Sequence, residues 1–306
     1  MWSRLLSRLL PHLLIAGACA GPLHAASAAP VSYTVVSADG VKLAVQESGN
    51  PEGAPVIFIH GLLGSRLDWD AQRQSPALRP YRLITYDLRG HGRSGRPPGA
   101  APYHDGRRWG DDLAAVIAAS HARKPVVVGW SLGGVVISNY LAAHGDAGIA
   151  GAVYVDGVVE LTAQQLVAHP GVYRDMNSPD LRTHLDGERA FLGLCFHHRP
   201  AADRFERLLA NAALASWDMQ REIPAMTVFA AEGLGRAHVP LLFLYGGRDA
   251  LVDAPAALAR AQALNPRVVA KVYADSGHAP FIEEPARFNR ELAAFVKAAT
   301  AAAAGP

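Results

Sequence analysis

The stretch VVVGWSLGG (residues 126–134) decides the fold class of this chain. Its three valines predict a strand that is buried on both faces, and Val135–Ala143 has the apolar spacing of a helix. A strand that turns sharply into a helix forces a strained backbone onto the residue at the turn, which is Ser131. Gly129 and Gly133 flank the serine and remove side chains that would clash there. The pattern therefore predicts that Ser131 is a nucleophile whose hydroxyl is held above the edge of a sheet.

Short apolar runs on both sides of this motif predict the other strands of the sheet. The predicted strands are Val31–Val36, Val41–Glu47, Pro55–Ile59, Arg82–Tyr86, Val126–Gly129, Ala152–Val155, Leu241–Tyr245 and Val268–Tyr273. The first two alternate in polarity around Ala38-Asp39-Gly40, which is typical of a hairpin. Helical patterns such as Trp109–Ala119 lie between several of the others. This alternation predicts an α/β fold with a mostly parallel central sheet flanked by helices.

Residues 158–237 interrupt the alternation of strands and helices. They contain no convincing pair of strands, but Asp180–Leu192 and Ala202–Ala215 are helix-like and rich in Leu, Ala, Arg and Glu. We therefore expect a helical cap at residues 158–237, inserted late in the sheet. The core is expected to comprise residues 29–157 and 238–306.

The first 28 residues have the pattern of a signal peptide. Arg4 and Arg8 precede the apolar run Leu9–Ala20, and Ala26-Ser27-Ala28 fits a small-residue cleavage site. The run is shorter than the roughly 20 residues that span a bilayer. We expect an exported protein, periplasmic or secreted, with no stable membrane span after signal removal. Cys19 leaves a lipidated form as an alternative.

Composition narrows the class of partner. Of the 306 residues, 50% are hydrophobic and 18% charged, which is typical of a globular enzyme with a sizeable core. The formal charge of +2 is too small to indicate a nucleic-acid partner. Once the signal is removed, Cys195 is the remaining cysteine, and we expect it to be a small buried apolar residue.

A serine nucleophile needs a base, and the base needs a carboxylate that orients it. The motif predicts the chain order serine, acid, histidine. His278 lies late, in a turn-rich loop after an apolar run, and is the predicted base. Asp249 follows the strand Leu241–Tyr245 at the edge where open α/β sheets meet ligands, and is the predicted acid. Asp253 is the rival acid, and the less favoured histidines are His197, His198 and His238.

An oxyanion hole is predicted from two backbone N–H groups. The stretch HGLLG (residues 60–64) follows a predicted strand, and Gly61 allows the backbone to aim the Leu62 N–H inward. The Leu132 N–H, at the positive N-terminus of a helix, supplies the second donor. For His60, which directly precedes the glycine, a structural hydrogen-bonding role is favoured over catalysis.

Taken in order, five motifs resemble the α/β-hydrolase superfamily over essentially all of the mature length. They are His60-Gly61-x-x-Gly64, Asp87-x-Arg89-Gly90-His91-Gly92-x-Ser94, Gly129-x-Ser131-x-Gly133, Gly247-x-Asp249 and Gly277-His278. The resemblance implies that residues 87–94 brace the site and that the insertion is the lid or cap of the family. A serine nucleophile argues against the dehalogenase and epoxide-opening relatives, which use aspartate. The branch that fits best holds carboxylesterases, lactonases, perhydrolases, C–C hydrolases and some aminopeptidases.

The resemblance implies a serine hydrolase that cleaves a small apolar carboxylic ester or a lactone through an acyl-enzyme. Two alternatives stay open: a C–C bond hydrolase of a β-diketone or ring-fission product, and a ligand-binding protein on the same fold. No metal or cofactor is expected, because neither an H-E-x-x-H motif nor a phosphate-binding glycine fingerprint is present. Apolar residues that line the pocket or belong to the ordinary core are Leu62, Leu63, Trp130, Phe191, Leu192, Phe196 and Trp217.

Overall fold

A computed structural model describes residues 29–305, and its central feature is one eight-stranded sheet. The predicted signal peptide lies outside the described residues. The strands are β1 (Val31–Val36), β2 (Lys42–Gly49), β3 (Pro55–Ile59), β4 (Arg82–Tyr86), β5 (Val126–Trp130), β6 (Gly151–Val155), β7 (Leu241–Gly246) and β8 (Val268–Tyr273). Their spatial order is β1-β2-β4-β3-β5-β6-β7-β8. The pairs β1–β2 and β2–β4 are antiparallel and the others parallel, so the predicted hairpin and mostly parallel sheet are confirmed.

Helices connect the strands much as the sequence predicts. They are α1 (Asp70–Arg73), α2 (Ala101–His104), α3 (Gly106–Ala119), α4 (Leu132–His144), α5 (Pro170–Met176), α6 (Leu181–Leu194), α7 (Ala202–Ala212), α8 (Trp217–Glu222), α9 (Ala254–Leu264), α10 (Pro280–Glu283) and α11 (Pro285–Ala304). Helix α3 begins ahead of the predicted Trp109, because the Asp105 side chain accepts the Arg107 N–H and caps the helix there. Strands β5, β6 and β7 are buried throughout, as expected for a sheet with both faces covered.

The helices α5 to α8 all lie between β6 and β7, within the segment expected to form the cap. Helix α7 ends at Ala212 rather than at the predicted Ala215. The N–H groups of Leu214 and Ala215 bond three residues back, which closes the helix in a tight turn. No helix between residues 29 and 305 has the length and apolarity needed to cross a bilayer.

The parallel register brings the carboxyl ends of six strands to one edge of the sheet. Gly129 pairs with Ile59, and Val155 pairs with both Trp130 and Leu244. The loops that follow β3, β4, β5, β6, β7 and β8 therefore meet there, which is where ligands bind in open α/β sheets. All the predicted site residues belong to these loops or directly follow them.

Candidate active site

Ser131 occupies the turn between β5 and α4, with φ 52° and ψ −113°. L residues rarely adopt a positive φ, and the sharp strand-to-helix turn requires it here. Glycines allow the close approach: a Cβ on Gly129 would lie 2.4 Å from the Gly133 carbonyl oxygen, and a Cβ on Gly133 would lie 2.6 Å from the Ile59 carbonyl oxygen. The Ser131 N–H donates to the Val155 carbonyl at 3.0 Å and so anchors the turn to β6.

Asp249 and His278 form a buried acid–imidazole pair. His278 Nδ1 lies 2.7 Å from Asp249 Oδ2, and both side chains are only 1% exposed. Asp249 Oδ1 also accepts the N–H groups of Leu251 at 2.8 Å and Val252 at 3.0 Å. Burial acts to raise the pKa of Asp249, but the adjacent imidazole and these hydrogen bonds outweigh it and hold that pKa below its ordinary value. Asp249 is therefore an ionised carboxylate that orients the ring of His278.

The contact with Asp249 fixes the His278 tautomer, because Nδ1 must carry the proton that is donated to the carboxylate. Nε2 is left as the basic nitrogen. Trp130 Nε1 donates to the His278 carbonyl at 2.6 Å and ties the loop to the residue before Ser131. Among the described residues no hydrogen bond joins Ser131 Oγ to His278 Nε2. In active sites without a bound substrate, the distance between nucleophile and base is often longer than a hydrogen bond.

The backbone N–H groups of Leu62 and Leu132 belong to residues that line a cavity together with Ser131. In the described part of the chain neither of these N–H groups has a hydrogen-bond acceptor. The loop after β3 approaches closely because residue 61 is glycine: a Cβ there would lie 3.0 Å from the Ser131 Cβ. The arrangement offers two donors to an oxygen held beside the serine.

His60 fastens the loop after β3 and does not contact the cavity. Its Nδ1 donates to the Gly61 carbonyl at 2.8 Å, and its Nε2 accepts the Leu88 N–H at 2.9 Å. Complete burial lowers the pKa of His60 to about 4, so the ring is neutral at physiological pH. Its contacts are those of a structural histidine.

The loop at residues 87–94 is tied to its surroundings by Asp87. This carboxylate accepts the N–H groups of Arg66 and Arg93, each at 2.9 Å, and forms an ion pair with the Arg66 guanidinium. Ser94 Oγ donates to the Asp87 carbonyl at 2.5 Å and accepts the Ala44 N–H at 2.9 Å. These contacts join the loops after β3 and β4, in line with the bracing that the resemblance implies.

A cavity of about 510 Å³ opens above Ser131, between the sheet edge and the helical insertion. Its walls are mainly apolar: Leu62, Ser131, Leu132, Val158, Leu161, Thr162, Ala163, Leu166, Val167, Ala168, His169, Pro170, Tyr173, Asn177, Phe191, Ile223, Pro224, Leu251 and Val252. Most of these residues belong to the insertion. A space of this size holds a small organic molecule.

Of the seven apolar residues singled out from the sequence, Leu62 and Phe191 line this cavity. The other five are packed elsewhere. Trp130 contacts Phe281 edge to face, and Trp217 stacks on His184 with ring centroids 4.0 Å apart. For four of these five, all but Trp217, the ordinary-core interpretation holds, because their side chains are buried. Trp217 is half-buried.

The less favoured residues have other contacts. Asp253 Oδ1 accepts the Ala256 N–H at 3.0 Å and caps α9. The His238 side chain is 75% exposed, and the His198 N–H donates to Glu283 Oε2 at 2.7 Å. Cys195 is buried and free, as expected.

Asp156 is a buried acid beside this pair that the sequence reasoning did not single out. It directly follows β6, and its carboxylate lies with Asp249 and His278 in a group whose ligand-type atoms are all within 4.8 Å of one another. A carboxylate just past a strand end was the signal used for Asp249, and it applies equally to Asp156. In the described residues these three are the one cluster with metal-ligand spacing. Two of its potential ligand atoms, His278 Nδ1 and Asp249 Oδ2, are already hydrogen-bonded to each other.

A family model described as the alpha/beta hydrolase family matches residues 56–291. The chain belongs to this family. This α/β hydrolase is similar to a crystal structure from Burkholderia cenocepacia that is named provisionally as an aryl esterase: identity is 69%, the TM-score is 0.88, and the match covers 89% of this chain and 100% of that one.

Two further relatives extend the comparison. Esterase RhEst1 from Rhodococcus sp. ECU1013 is 31% identical with a TM-score of 0.80, over 87% of this chain and 98% of that one. A non-heme chloroperoxidase from Streptomyces lividans is 28% identical over 277 residues, 86% of this chain and 99% of that one. The relatives are named as enzymes, and this chain is an α/β-hydrolase enzyme.

Proposed function

We propose that this enzyme hydrolyses small apolar carboxylic esters, aryl esters first and lactones next, through an acyl-enzyme on Ser131. The observation that carries the proposal is the pair of unpartnered N–H groups, at Leu62 and Leu132, in the same apolar cavity as the serine. A buried acid–imidazole pair, Asp249 and His278, completes the groups that acyl transfer needs.

In the first half of the proposed reaction, His278 Nε2 removes the proton of Ser131 Oγ as that oxygen attacks the ester carbonyl carbon. Asp249 holds Nδ1 and stabilises the imidazolium that forms. The Leu62 and Leu132 N–H groups bind the tetrahedral oxyanion, and each lowers the barrier by about 3 kcal/mol. His278 then protonates the leaving alcohol or phenol as the carbon–oxygen bond breaks.

In the second half, water replaces the alcohol. His278 Nε2 takes a proton from the water, whose oxygen attacks the acyl carbon and forms a second oxyanion in the same hole. Collapse of this intermediate returns the proton to Ser131 Oγ and releases the carboxylic acid. The apolar walls exclude bulk water, which strengthens these electrostatic contacts.

Cleavage of an ester is favoured over cleavage of a C–C bond by the names of the relatives. The protein from Burkholderia cenocepacia is named provisionally as an aryl esterase, and the one from Rhodococcus as an esterase. Parallel turnover assays with aryl esters, lactones and aryl β-diketones separate the two reactions. Faster turnover of the diketones would favour the C–C hydrolase.

Replacing the nucleophile tests the proposal. Ser131→Ala is expected to lower kcat on an aryl acetate by about 10⁴- to 10⁶-fold with an unchanged fold. Ser138→Ala is the matched control: Ser138 is buried in α4 and its Oγ is 3.1 Å from the Tyr154 hydroxyl, away from the cavity lining. Normal turnover by Ser131→Ala would exclude this mechanism.

We also propose that the enzyme is exported, to the periplasm or the medium, after cleavage behind Ala28. The support is the pattern of residues 1–28, with Arg4 and Arg8 ahead of an apolar run and small residues at the end. Cell fractionation with N-terminal sequencing checks it. A mature chain that begins at Ala29 outside the cytoplasm is expected, and an uncleaved cytoplasmic chain would contradict the proposal.

A further inference from the structure

We propose that Asp156 is a neutral carboxylic acid that donates a hydrogen bond to Asp249 and thereby positions the carboxylate that orients His278. The inference rests on the proposed function of that site and adds a positioning residue to it. Its basis is the juxtaposition of two buried carboxyl groups and one imidazole at the carboxyl ends of β6, β7 and β8.

The backbone holds Asp156 firmly at this place. Its N–H donates to the Leu244 carbonyl at 2.8 Å, and its φ is 42°, in the left-handed region. Asp and Asn are among the few residues that tolerate this region. Its Oδ1 accepts the Gly246 N–H at 2.7 Å, so the carboxyl group is lodged between the ends of β6 and β7.

Hydrogen bonding decides which of the two acids is charged. The Asp249 carboxylate accepts three donors, from His278, Leu251 and Val252. Asp156 accepts one, and its buried Oδ2 has no partner among the described residues. A buried polar oxygen without a partner is costly, and a proton on Oδ2 converts it into a donor beside the Asp249 carboxylate. The negative charge therefore belongs to Asp249 and the proton to Asp156.

The surroundings leave no counter-charge for a second carboxylate. Burial and the neighbouring Asp249 raise the pKa of Asp156 well above its ordinary value. The titratable groups that face Asp156 are Asp249 after β7, His278 after β8, Glu283 on α10, Tyr245 on β7 and Cys195 after α6. His278 is the one group in this set that can carry a positive charge, and it is already paired with Asp249. Two like charges at this spacing do not both persist in a buried site.

Substitution of Asp156 by asparagine and by glycine distinguishes a hydrogen-bond donor at this position from a negative charge. Asp156→Asn keeps a donor, an acceptor for Gly246 and tolerance of positive φ. It is expected to retain kcat/KM within about threefold, with the acid limb of the pH–rate profile in place. Asp156→Gly removes the donor without backbone strain and is expected to lower kcat/KM by about 10- to 100-fold, the equivalent of one hydrogen bond to a charged group.

Three results would overturn the proposal. If Asp156 were ionised, Asp156→Asn would remove a negative charge beside His278 and move the acid limb to lower pH. If Asp156 were merely structural, Asp156→Gly would keep kcat/KM and the limb unchanged while the fold persists. The third is an infrared difference spectrum, wild type minus Asp156→Asn at neutral pH, that lacks the band of a protonated carboxyl group. Asp253→Asn is the control: its own spectrum should keep the band, so that the band is absent from the difference between wild type and Asp253→Asn.

The infrared measurement distinguishes failure of this proposal from failure of the proposed function. It detects the proton on Asp156 whether or not the protein cleaves esters. An enzyme that acylates Ser131, but whose difference spectrum lacks the band of a protonated Asp156, contradicts this inference alone. A protein with the band but without acylation contradicts the proposed function alone.

Discussion

The sheet edge and the helical insertion contribute different things to the same cavity. The edge supplies buried polar groups with fixed partners, such as Asp249 and His278, each 1% exposed. The insertion supplies apolar walls such as Leu166 and Phe191, and its outer surface exposes leucines, among them Leu181 at 60%. The loops of the sheet edge are tied by backbone register, whereas the walls depend on side-chain size. The difference implies that the edge determines the chemistry and the insertion the choice of substrate.

The largest expected effect is at the edge. Asp249→Asn is expected to lower kcat by about 10⁴-fold, because an amide cannot hold the His278 tautomer that leaves Nε2 basic. Steady-state kinetics on an aryl ester measure this loss. Asp253→Asn is the matched control and should be nearly silent, because asparagine caps a helix about as well as aspartate does. The reverse result, with Asp253 essential and Asp249 dispensable, would contradict the assignment of the acid.

The second effect concerns the dependence of stability on pH, to which two buried histidines at the edge contribute. Burial lowers the pKa of His60 to about 4 and that of His91 to about 3, whereas both titrate near 6.5 when unfolded. Between those values each histidine takes up its proton only in the unfolded chain, so the stability that this pair contributes falls as the pH drops below 6.5. The loss is about 1.4 kcal/mol per pH unit for each histidine. The raised pKa values of Asp68, about 7, and of Asp156 act in the opposite direction.

Denaturant unfolding between pH 4 and 7 measures this slope. His91→Phe keeps the ring and removes the titration, and should take away about half of the contribution of the pair. His238→Phe, at a largely exposed side chain, should leave the slope unchanged. Equal slopes in the wild type and His91→Phe would show that His91 does not contribute.

A smaller effect is expected in the walls. Phe191→Leu enlarges the cavity and should shift the ratio of kcat/KM for a larger ester to that for a smaller one by about tenfold, with the acylation chemistry intact. Phe205→Leu is the control, since Phe205 is an equally buried insertion residue that does not line the cavity. If both variants changed the ratio alike, the walls would not select the substrate directly.

The smallest effect is expected on the outer surface of the insertion. Leu181→Ser should change the free energy of unfolding by less than about 0.5 kcal/mol and leave kcat/KM unchanged, because the side chain is 60% exposed and outside the active-site cavity. Thermal unfolding and a single ester assay are sufficient. A loss of activity here would show that the outer surface also acts on the site.

Strand positions were predictable because apolar runs and strand ends are local properties. β1, β3, β4 and β8 match the predicted bounds, and Ser131 and Asp249 were predicted from the residues that precede them. The start of α3 was missed because one side chain, Asp105, decides it. Such a cap depends on the local backbone rather than on periodicity.

The cavity walls and the second acid were harder to predict, for a physical reason. The sequence shows that Phe191 and Phe196 are apolar residues. Only the packing of the folded chain decides that Phe191 faces the cavity and that Phe196 faces the core. Asp156 was overlooked because the role of its carboxyl group depends on Asp249, which is distant in sequence. Contacts between separate loops are set by the register of the sheet and not by any one segment.

Covalent trapping of the nucleophile tests the central claim most directly. A fluorophosphonate probe is incubated with the folded enzyme, and the modified residue is located by tandem mass spectrometry. We expect one adduct per chain, on Ser131, which is absent in Ser131→Ala and forms much more slowly in Asp249→Asn. An unlabelled protein, or an adduct on a different serine, would contradict it.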